Sequence, residues 1–264
     1  MMHMKHCNGI GTLLTVMLMA AFFLAGCGTF SGRIGDQGLG AAAEEARGRL
    51  LALDRINETL ATFKGTGKVA LRDQFQRRTF RVAWMGAVPG QLRFELLAIG
   101  GQRVASLASD GHYHYLRLYR EGKFYKQQAE NTSLRHFIAL PIKTQDLIAL
   151  LSGRFPIADH DAVLLERDPE RGGDVLKLVK KWGRTAQKIY LDPNGTDVAA
   201  IELFDALGGL RYSAEYGIRQ TVDGYRIPFR LTVAADDGNR LTLEVDQYWA
   251  DPPVNPAAFV LQDR

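Results

Sequence analysis

Two histidines separated by one residue are the first side chains whose type and spacing suggest chemistry. His112 and His114 lie in a stretch of alternating polar and apolar residues, which predicts a strand with both imidazoles on one face. Imidazole binds zinc, but a zinc site needs three or four protein ligands. No third ligand is evident near them, so we interpret the pair as solvated residues beside a hairpin, with a metal site as the alternative.

A second group, Asp159-His160-Asp161, combines carboxylates with an imidazole as hydrolases do. No Gly-x-Ser-x-Gly turn or reactive cysteine accompanies it, so a nucleophile is missing. Gly65-Thr-Gly67 begins a strand instead of leading from a strand into a helix, and it is therefore not a dinucleotide-binding loop. We predict neither catalysis nor a cofactor. An envelope hydrolase would need a clustered nucleophile and base that the sequence does not show.

The densest group of basic residues is interpreted as a solvated hairpin face. The 264 residues include 33 Lys and Arg against 29 Asp and Glu, a net charge of +4, and the charges are scattered, so no nucleic-acid partner is expected. The alternative for this group is contact with anionic lipid headgroups or an acidic partner. Its members are Lys177, Lys180, Lys181, Arg184 and Lys188.

Cys27 closes an apolar run that begins near Leu13 and is preceded by Lys5. The run has about a dozen apolar residues, whereas a membrane-spanning helix needs ~20, so it is typical of a signal sequence. Leu24-Ala25-Gly26-Cys27 resembles the lipobox of bacterial lipoproteins. That resemblance implies cleavage before Cys27 and attachment of acyl chains, such as palmitate, to Cys27, which would anchor the protein in membrane lipid. The alternative is a plain secretory signal.

The predicted organisation has three parts. Residues 1–26 form the signal peptide, residues 27–40 a flexible tether after the lipidated Cys27, and residues 41–264 a single domain. In the lipoproteins that Cys27 resembles, Gly28 in place of Asp implies the outer membrane, facing the periplasm. The only other cysteine, Cys7, leaves with the signal, so the domain has no disulfide.

Local patterns predict helices at two places and strands elsewhere. Apolar residues recur every three or four positions over residues 41–63, which predicts an amphipathic helix that ends at Gly65-Thr-Gly67. A second short helix is predicted from an N-cap at Thr144 through Leu151, with Gly153 as its C-terminal stop.

Residues between and after these helices alternate polar with apolar side chains in roughly a dozen short segments separated by turn sequences. The predicted strands include residues 162–167, 185–191 and 227–234. The predicted fold class is α+β and mostly β: a strongly curved antiparallel sheet, a half-open barrel, wrapped over the N-terminal helix and the short inserted helix. Helices laid inside such a sheet can leave an apolar cavity.

This order of elements resembles the LolA/LolB superfamily of lipoprotein carriers and receptors. The similarity is clearest from Phe63 to Pro156, where Gly65-Thr-Gly-Lys-Val-Ala-Leu71 resembles the first strand of the family and Phe80-Arg-Val-Ala-Trp84 the second. Pro89-Gly-Gln-Leu-Arg-Phe-Glu-Leu96 resembles the third strand, and residues 253–261 resemble the last short strand.

The resemblance implies a cavity for acyl chains and a protruding loop that touches the membrane. The loop would present Leu97 and Ile99, or these residues would instead finish a strand and pack in the core. The implied cargo is acyl chains or lipoproteins, delivered by a periplasmic carrier protein. An alternative function is a non-catalytic protein-interaction or envelope-sensing module on the same fold. The candidate cavity residues are Leu71, Phe80, Val82, Trp84, Leu92, Phe94, Leu96, Leu107, Leu147, Ile148 and Leu151.

Overall fold

The computed structural model describes residues 33–129 and 134–263. The signal sequence and Cys27 lie outside the described residues, so lipidation stays a prediction. Residues 42–264 form one compact unit, which contains the sheet and its cavity.

Helix α1 spans Arg33–Asp54 and therefore includes part of the segment predicted to be a tether. In its second half it buries Ala46, Leu50 and Leu53, at the three- to four-residue spacing that places side chains on one helix face. The prediction that the helix reaches residue 63 is wrong, because strand β1 already begins at Thr62.

Gly65 and Gly67 lie inside β1 and do not end a helix. A Cβ atom on Gly65 would lie 2.2 Å from the ring of Trp84, and one on Gly67 would lie 2.1 Å from the carbonyl oxygen of Glu244. The register between β1 and the strand that contains Glu244, β15 (Arg240–Ala250), shifts between Thr66 and Gly67. Both glycines are thus explained by close approach of neighbouring groups, not by helix termination.

The first half of the chain forms a meander and then two short helices, α2 at Arg135–Ile138 and α3 at Thr144–Leu151. The meander strands are β1 Thr62–Arg72, β2 Arg77–Ala87, β3 Gln91–Leu97, β4 Arg103–Asp110, β5 Tyr113–Leu118 and β6 Lys123–Gln128.

The second half is β-rich. Its strands are β7 Ala162–Arg167, β8 Asp174–Val179, β9 Thr185–Leu191, β10 Val198–Phe204, β11 Leu210–Tyr216, β12 Arg219–Val222, β13 Tyr225–Pro228, β14 Arg230–Ala234 and β15 Arg240–Ala250. β12 and β13 form a separate two-stranded hairpin, which the sequence patterns did not separate from β14.

The remaining strands form one 13-stranded antiparallel sheet in the order β6-β5-β4-β3-β2-β1-β15-β14-β11-β10-β9-β8-β7. The pairing of β1 with β15 joins the two halves, so the second half extends the same sheet. The sheet ends at β6 and β7 and does not close into a barrel. The predicted fold class, α+β with a curved open sheet over helices, is confirmed.

Helix α3 packs on the sheet through Leu147, Ile148, Leu150 and Leu151, all of which are buried. Two tyrosine hydroxyls fix it there: Tyr212 donates to Asp146 Oδ2 at 2.9 Å and Tyr248 to the carbonyl oxygen of Leu151 at 3.2 Å. These bonds satisfy polar groups that burial would otherwise leave without partners.

The C-terminal segment does not form the strand that the resemblance implies. Pro256–Phe259 is a 3₁₀ turn in which the side chain of Asn255 accepts the N–H of Ala257 at 3.0 Å. Phe259 is fully buried, and Leu261 packs against Ala108 and Tyr115. Phe259 and Leu261 are thus buried without the segment pairing with the sheet as a further strand.

Within residues 33–129 and 134–263, every helix is too short or too polar to cross a bilayer.

Candidate functional site

The candidate site is a cavity of about 100 Å³ between the sheet and helices α2 and α3. All fifteen of its lining side chains are aliphatic or aromatic, so the cavity itself supplies no acid, base or metal ligand. They are Val69, Leu71, Val82, Phe94, Leu96, Ala105, Leu107, Leu116, Leu118, Ile138, Leu147, Leu151, Leu231, Leu241 and Leu243.

Strand geometry explains why the lining is uniformly apolar. Val69 and Leu71 of β1, like Leu241 and Leu243 of β15, are two residues apart and therefore point to the same face of the sheet. On the helical side, Leu147 and Leu151 of α3 are four residues apart and share one helix face.

The structure brings seven of the eleven predicted cavity residues to this cavity: Leu71, Val82, Phe94, Leu96, Leu107, Leu147 and Leu151. The other four lie elsewhere. Trp84, Leu92 and Ile148 are buried in the packed core, and Phe80 is partly buried against it. Trp84 occupies the space above Gly65, which a Cβ atom there would fill.

Sequence reasoning missed the other eight lining residues, which β1, β4, β5, α2, β14 and β15 contribute: Val69, Ala105, Leu116, Leu118, Ile138, Leu231, Leu241 and Leu243. Their apolar character is visible in the sequence, but the pairing that joins β1 to β15 connects residues more than 160 positions apart. No local pattern specifies such a partner, so the composition of the cavity is set by tertiary structure.

The cavity is small for a lipid chain. An apolar cavity of ~150 Å³ holds a benzene molecule, so about 100 Å³ accommodates only a short apolar segment. Leu71, Phe94 and Leu96 are each partly exposed, so the lining is not sealed from solvent. A longer chain requires the lining side chains to move apart.

The two residues predicted at the tip of the loop between β3 and β4 differ in their exposure to solvent. Leu97 is the last residue of β3 and is half-buried, whereas Ile99 is 86% exposed. Ile99 is therefore available to contact another surface, and Leu97 supports the end of the strand.

His114 is buried, which corrects the interpretation of both histidines as solvated. Its Nε2 lies 2.7 Å from Thr144 Oγ1, so Thr144 bonds to the sheet and does not cap α3, whose N-cap is Lys143. His112 is exposed and outside the strand. Among the described residues, no group of three or more His, Cys, Asp or Glu side chains is arranged to hold a metal ion.

Burial lowers the pKa of His114 below its ordinary value of 6.5, although the charge of Asp110 opposes the shift. The unfolded chain therefore takes up a proton near pH 6.5 that the folded chain does not, and the folded state should lose stability as the pH falls below that value. We expect urea unfolding at pH 7.5 and 5.0 to show a smaller loss of stability in His114→Gln than in the unmodified chain. An equal loss in both would exclude His114 as a source of the pH dependence.

The Asp159-His160-Asp161 group ties the segment before β7 to the turn between β8 and β9. Asp159 pairs with Lys180, and Asp161 Oδ2 accepts the backbone N–H of Lys181 at 2.7 Å. His160 Nδ1 lies 2.9 Å from the carbonyl oxygen of Ala158. Each of these side chains thus has a partner that accounts for it structurally.

The predicted basic group divides into paired and unpaired members. Lys177 pairs with Glu166 at 3.4 Å and Lys188 with Glu202 at 3.7 Å, while Lys180 pairs with Asp159. Arg184 donates to the carbonyl oxygen of Asp205, and Lys181 is exposed without an ion pair in the described part of the chain.

An open antiparallel sheet that packs on helices and leaves an apolar cavity against them defines a class of half-barrel proteins. Solved structures place this chain in that class with a LolA/LolB-like fold. A DUF1329 family protein from Desulfovibrio piger superposes with a TM-score of 0.61 at 10% identity, covering 83% of this chain and 97% of that one.

Two further structures carry the same fold. A domain from Vibrio parahaemolyticus, named for outer-membrane lipoprotein sorting, has a TM-score of 0.56 at 14% identity over 83% of this chain and 96% of its own. A LolA superfamily protein from Nitrosomonas europaea has a TM-score of 0.50 at 10% identity over 82% and 97%. At these identities the similarity establishes the fold alone.

No protein-family profile matches the sequence, and no curated protein is significantly similar to it.

Proposed function

We propose that this protein binds the acyl chains of lipids or lipoproteins and assists their insertion during assembly of the bacterial envelope. The observation that carries the proposal is the cavity against α2 and α3, whose fifteen lining side chains are all apolar. A fatty acyl chain matches that surface because it needs no hydrogen-bonding partner. The names of two proteins with the same fold refer to lipoprotein sorting and to LolA, which supports this choice of cargo.

The mechanism rests on keeping the acyl chain out of water. Each methylene exposed during transfer costs about 0.8 kcal/mol, so a continuous apolar route from carrier to membrane lowers the barrier. Ile99 would contact the bilayer, with Leu97 holding the end of its strand, while the chain passes from the cavity. In this proposal acylated Cys27 anchors the protein in the outer membrane on its periplasmic face, where a periplasmic carrier delivers the cargo.

Mass spectrometry of organic extracts tests the proposal. We expect the purified full-length chain with Cys27→Ala, which removes the acylation site, to carry lipid or acylated peptide in stoichiometric amount. Leu96→Glu should lose it, because it places a charged carboxylate in the apolar lining that the acyl chain would contact. The matched control is Leu164→Glu, at a partly exposed leucine of β7 outside the cavity, and it should retain the ligand.

The second candidate function is a protein-interaction or sensing module with a filled interior. The small volume of the cavity, about 100 Å³, is the observation that favours it. The Cys27→Ala chain and its Leu96→Glu and Leu164→Glu variants would then all be purified without ligand. That result, with each protein still folded by circular dichroism, would support this candidate and contradict acyl-chain binding.

A further inference from the structure

Four large apolar side chains are almost completely exposed to solvent. Trp182 is fully exposed, Leu207 is 97% exposed, Phe75 92% and Ile99 86%. Each lies in the connection of a different hairpin: Phe75 in β1–β2, Ile99 in β3–β4, Trp182 in β8–β9 and Leu207 in β10–β11. They are therefore spread across both halves of the sheet.

Sheet topology places all four of these turns at the same side. Every neighbouring pair in the 13-stranded sheet is antiparallel, so alternate strands run in one direction. These are β5, β3, β1, β14, β10 and β8, and the turns that follow them form one row, which we call the hairpin rim. The rim comprises residues 73–76, 98–102, 119–122, 180–184, 205–209 and 235–239.

Aspartates shape two of the turns so that the apolar side chain projects outward. Asp73 Oδ1 accepts the N–H groups of Phe75 and Gln76, both at 2.8 Å. Asp205 Oδ1 accepts the N–H of Leu207 at 2.8 Å and a second N–H two residues later at 2.9 Å. Local hydrogen bonds of this kind stabilise a turn without requiring any side chain to be buried.

Trp182 occupies a backbone position that is unfavourable for it. Its φ is 68°, in the left-handed region that bulky residues rarely adopt and that costs of order 1–3 kcal/mol. The fully exposed indole contributes no burial that would offset this cost. Glycine would fit the turn better, so a large aromatic side chain at this position points to contact with something outside the chain.

The rim is predominantly basic. Counting its turns and the strand residue on either side of each, there are nine basic and five acidic side chains. Two of the acids, Asp73 and Asp205, are used by the turn hydrogen bonds. The basic residues are Arg72, Arg77, Arg103, Arg120, Lys123, Lys180, Lys181, Arg184 and Arg240; the other acids are Glu121, Asp236 and Asp237.

Two more acids, Asp159 and Asp161, reach the rim from the segment before β7, and both are engaged by Lys180 or the Lys181 backbone. By contrast, Arg72, Arg77 and Arg240 are exposed and form no ion pair with any residue that the structure describes. The charge left available at the rim is therefore positive.

The apolar cavity borders the same rim. Leu71, Leu96, Leu118 and Leu241 all line the cavity, and each is the last residue or one residue from the end of its strand on the rim side. A surface docked on the rim would therefore lie next to the cavity.

We propose that the hairpin rim is a docking surface for an anionic lipid bilayer, into which Trp182, Leu207, Phe75 and Ile99 insert. Adjacent hairpins are two strands apart, about 10 Å, so the four side chains form separate points and not the contiguous patch that a protein interface presents. Isolated apolar side chains surrounded by Lys and Arg match the headgroup region of an anionic membrane. This inference goes beyond the proposed function, because docking does not require the cavity to hold a ligand.

Tryptophan fluorescence of the full-length chain with Cys27→Ala, which lacks the acylation site, tests the proposal. The other two tryptophans are Trp84, which is buried, and Trp249, which is 45% exposed but lies near the end of β15 that is opposite the rim. With phosphatidylcholine–phosphatidylglycerol vesicles carrying bromine on their acyl chains, we expect the emission to be quenched, and Trp182→Tyr to remove the quenched component. In a triple variant, Phe75→Ser, Ile99→Ser and Leu207→Ser, the vesicle concentration for half-maximal quenching should rise at least roughly tenfold.

The matched control is Ile218→Ser. Ile218 is 68% exposed and follows β11 at the side of the sheet opposite the rim, so this variant should behave like the unmodified chain. Emission from Trp182 that stays unquenched while the chain floats with the vesicles would overturn the proposal and favour a protein partner for the rim. Equal quenching by pure phosphatidylcholine vesicles would overturn the assignment to an anionic surface. Neither readout depends on ligand in the cavity.

Discussion

Replacing Asp197 by asparagine is expected to lower the free energy of unfolding by about 3–5 kcal/mol, because it removes the counter-charge of a largely buried arginine, Arg219. Asp197 is 4% exposed, and its Oδ2 lies 3.2 Å from Arg219 Nε and 2.9 Å from Arg226 Nη2. Its Oδ1 accepts the N–H of Val198 at 2.7 Å. One carboxylate thus serves two guanidinium groups and the backbone.

Arg219 is the ion-pair partner of Asp197 that explains why the expected loss of stability is large. It is largely buried against the ring of Tyr216, with its guanidinium carbon 4.5 Å from the ring centroid, and Nη2 donates to the carbonyl oxygen of Val198 at 2.6 Å. Burial lowers the pKa of Arg219, and the charge of Asp197 opposes that shift. Without the carboxylate, the guanidinium stays in a poorly solvated position with only part of its charge compensated.

Urea unfolding of the full-length chain, with Asp174→Asn as the matched control, measures this effect. Asp174 also pairs with an arginine, Arg49, at 2.7 Å, but its side chain is 38% exposed, so the same substitution there should cost at most about 1 kcal/mol. Adding Arg219→Gln to Asp197→Asn should recover part of the stability, since the uncompensated charge is removed. Equal effects of the two single substitutions would show that burial does not amplify the Asp197 pair.

Ala105→Phe is expected to reduce acyl-chain binding at least roughly tenfold while the protein stays as stable as before or gains stability, as cavity-filling substitutions commonly do. Ala105 is the smallest side chain that lines the cavity. It pairs with Leu96 on one side and Leu118 on the other, both of which also line the cavity. A phenyl ring at this position would occupy the space between them, so ligand and side chain would compete for one volume.

Titration with a fluorescent fatty acid measures the binding, and thermal unfolding measures the stability. The control is Leu164→Phe, which enlarges a partly exposed side chain outside the cavity and should leave both quantities unchanged. Unaltered fatty-acid binding by a stable Ala105→Phe protein would place the binding site elsewhere. This test complements Leu96→Glu, because it removes the cavity volume without introducing a charge.

Local patterns in the sequence determine most of the secondary structure. Alternation of polar and apolar residues predicts strands such as Ala162–Arg167 and Thr185–Leu191 with the bounds that the structure shows. The apolar residues Leu147, Ile148 and Leu151, followed by Gly153, predict α3 correctly. These predictions are correct because each depends only on residues a few positions apart in the sequence. The lipidation of Cys27 stays a prediction of the sequence.

Tertiary structure decides which faces meet and what they enclose. The sequence predicts that Gly65-Thr-Gly67 ends a helix and begins a strand. The structure confirms the strand but not the helix end, and contacts with Trp84 and with the backbone of β15 explain the two glycines. His114 is predicted to be solvated, but it is buried in the structure, and α3 supplies Thr144 as its hydrogen-bonding partner.

The cavity and the rim show the same division. The sequence determined that the strands have an apolar face, and it identified seven of the fifteen lining residues. Only the pairing of β1 with β15 joined the two halves around one cavity and brought Trp182 and Leu207 into a row with Phe75 and Ile99. The physical reason is that alternation specifies which side of a strand is buried but not which distant strand will pair with it.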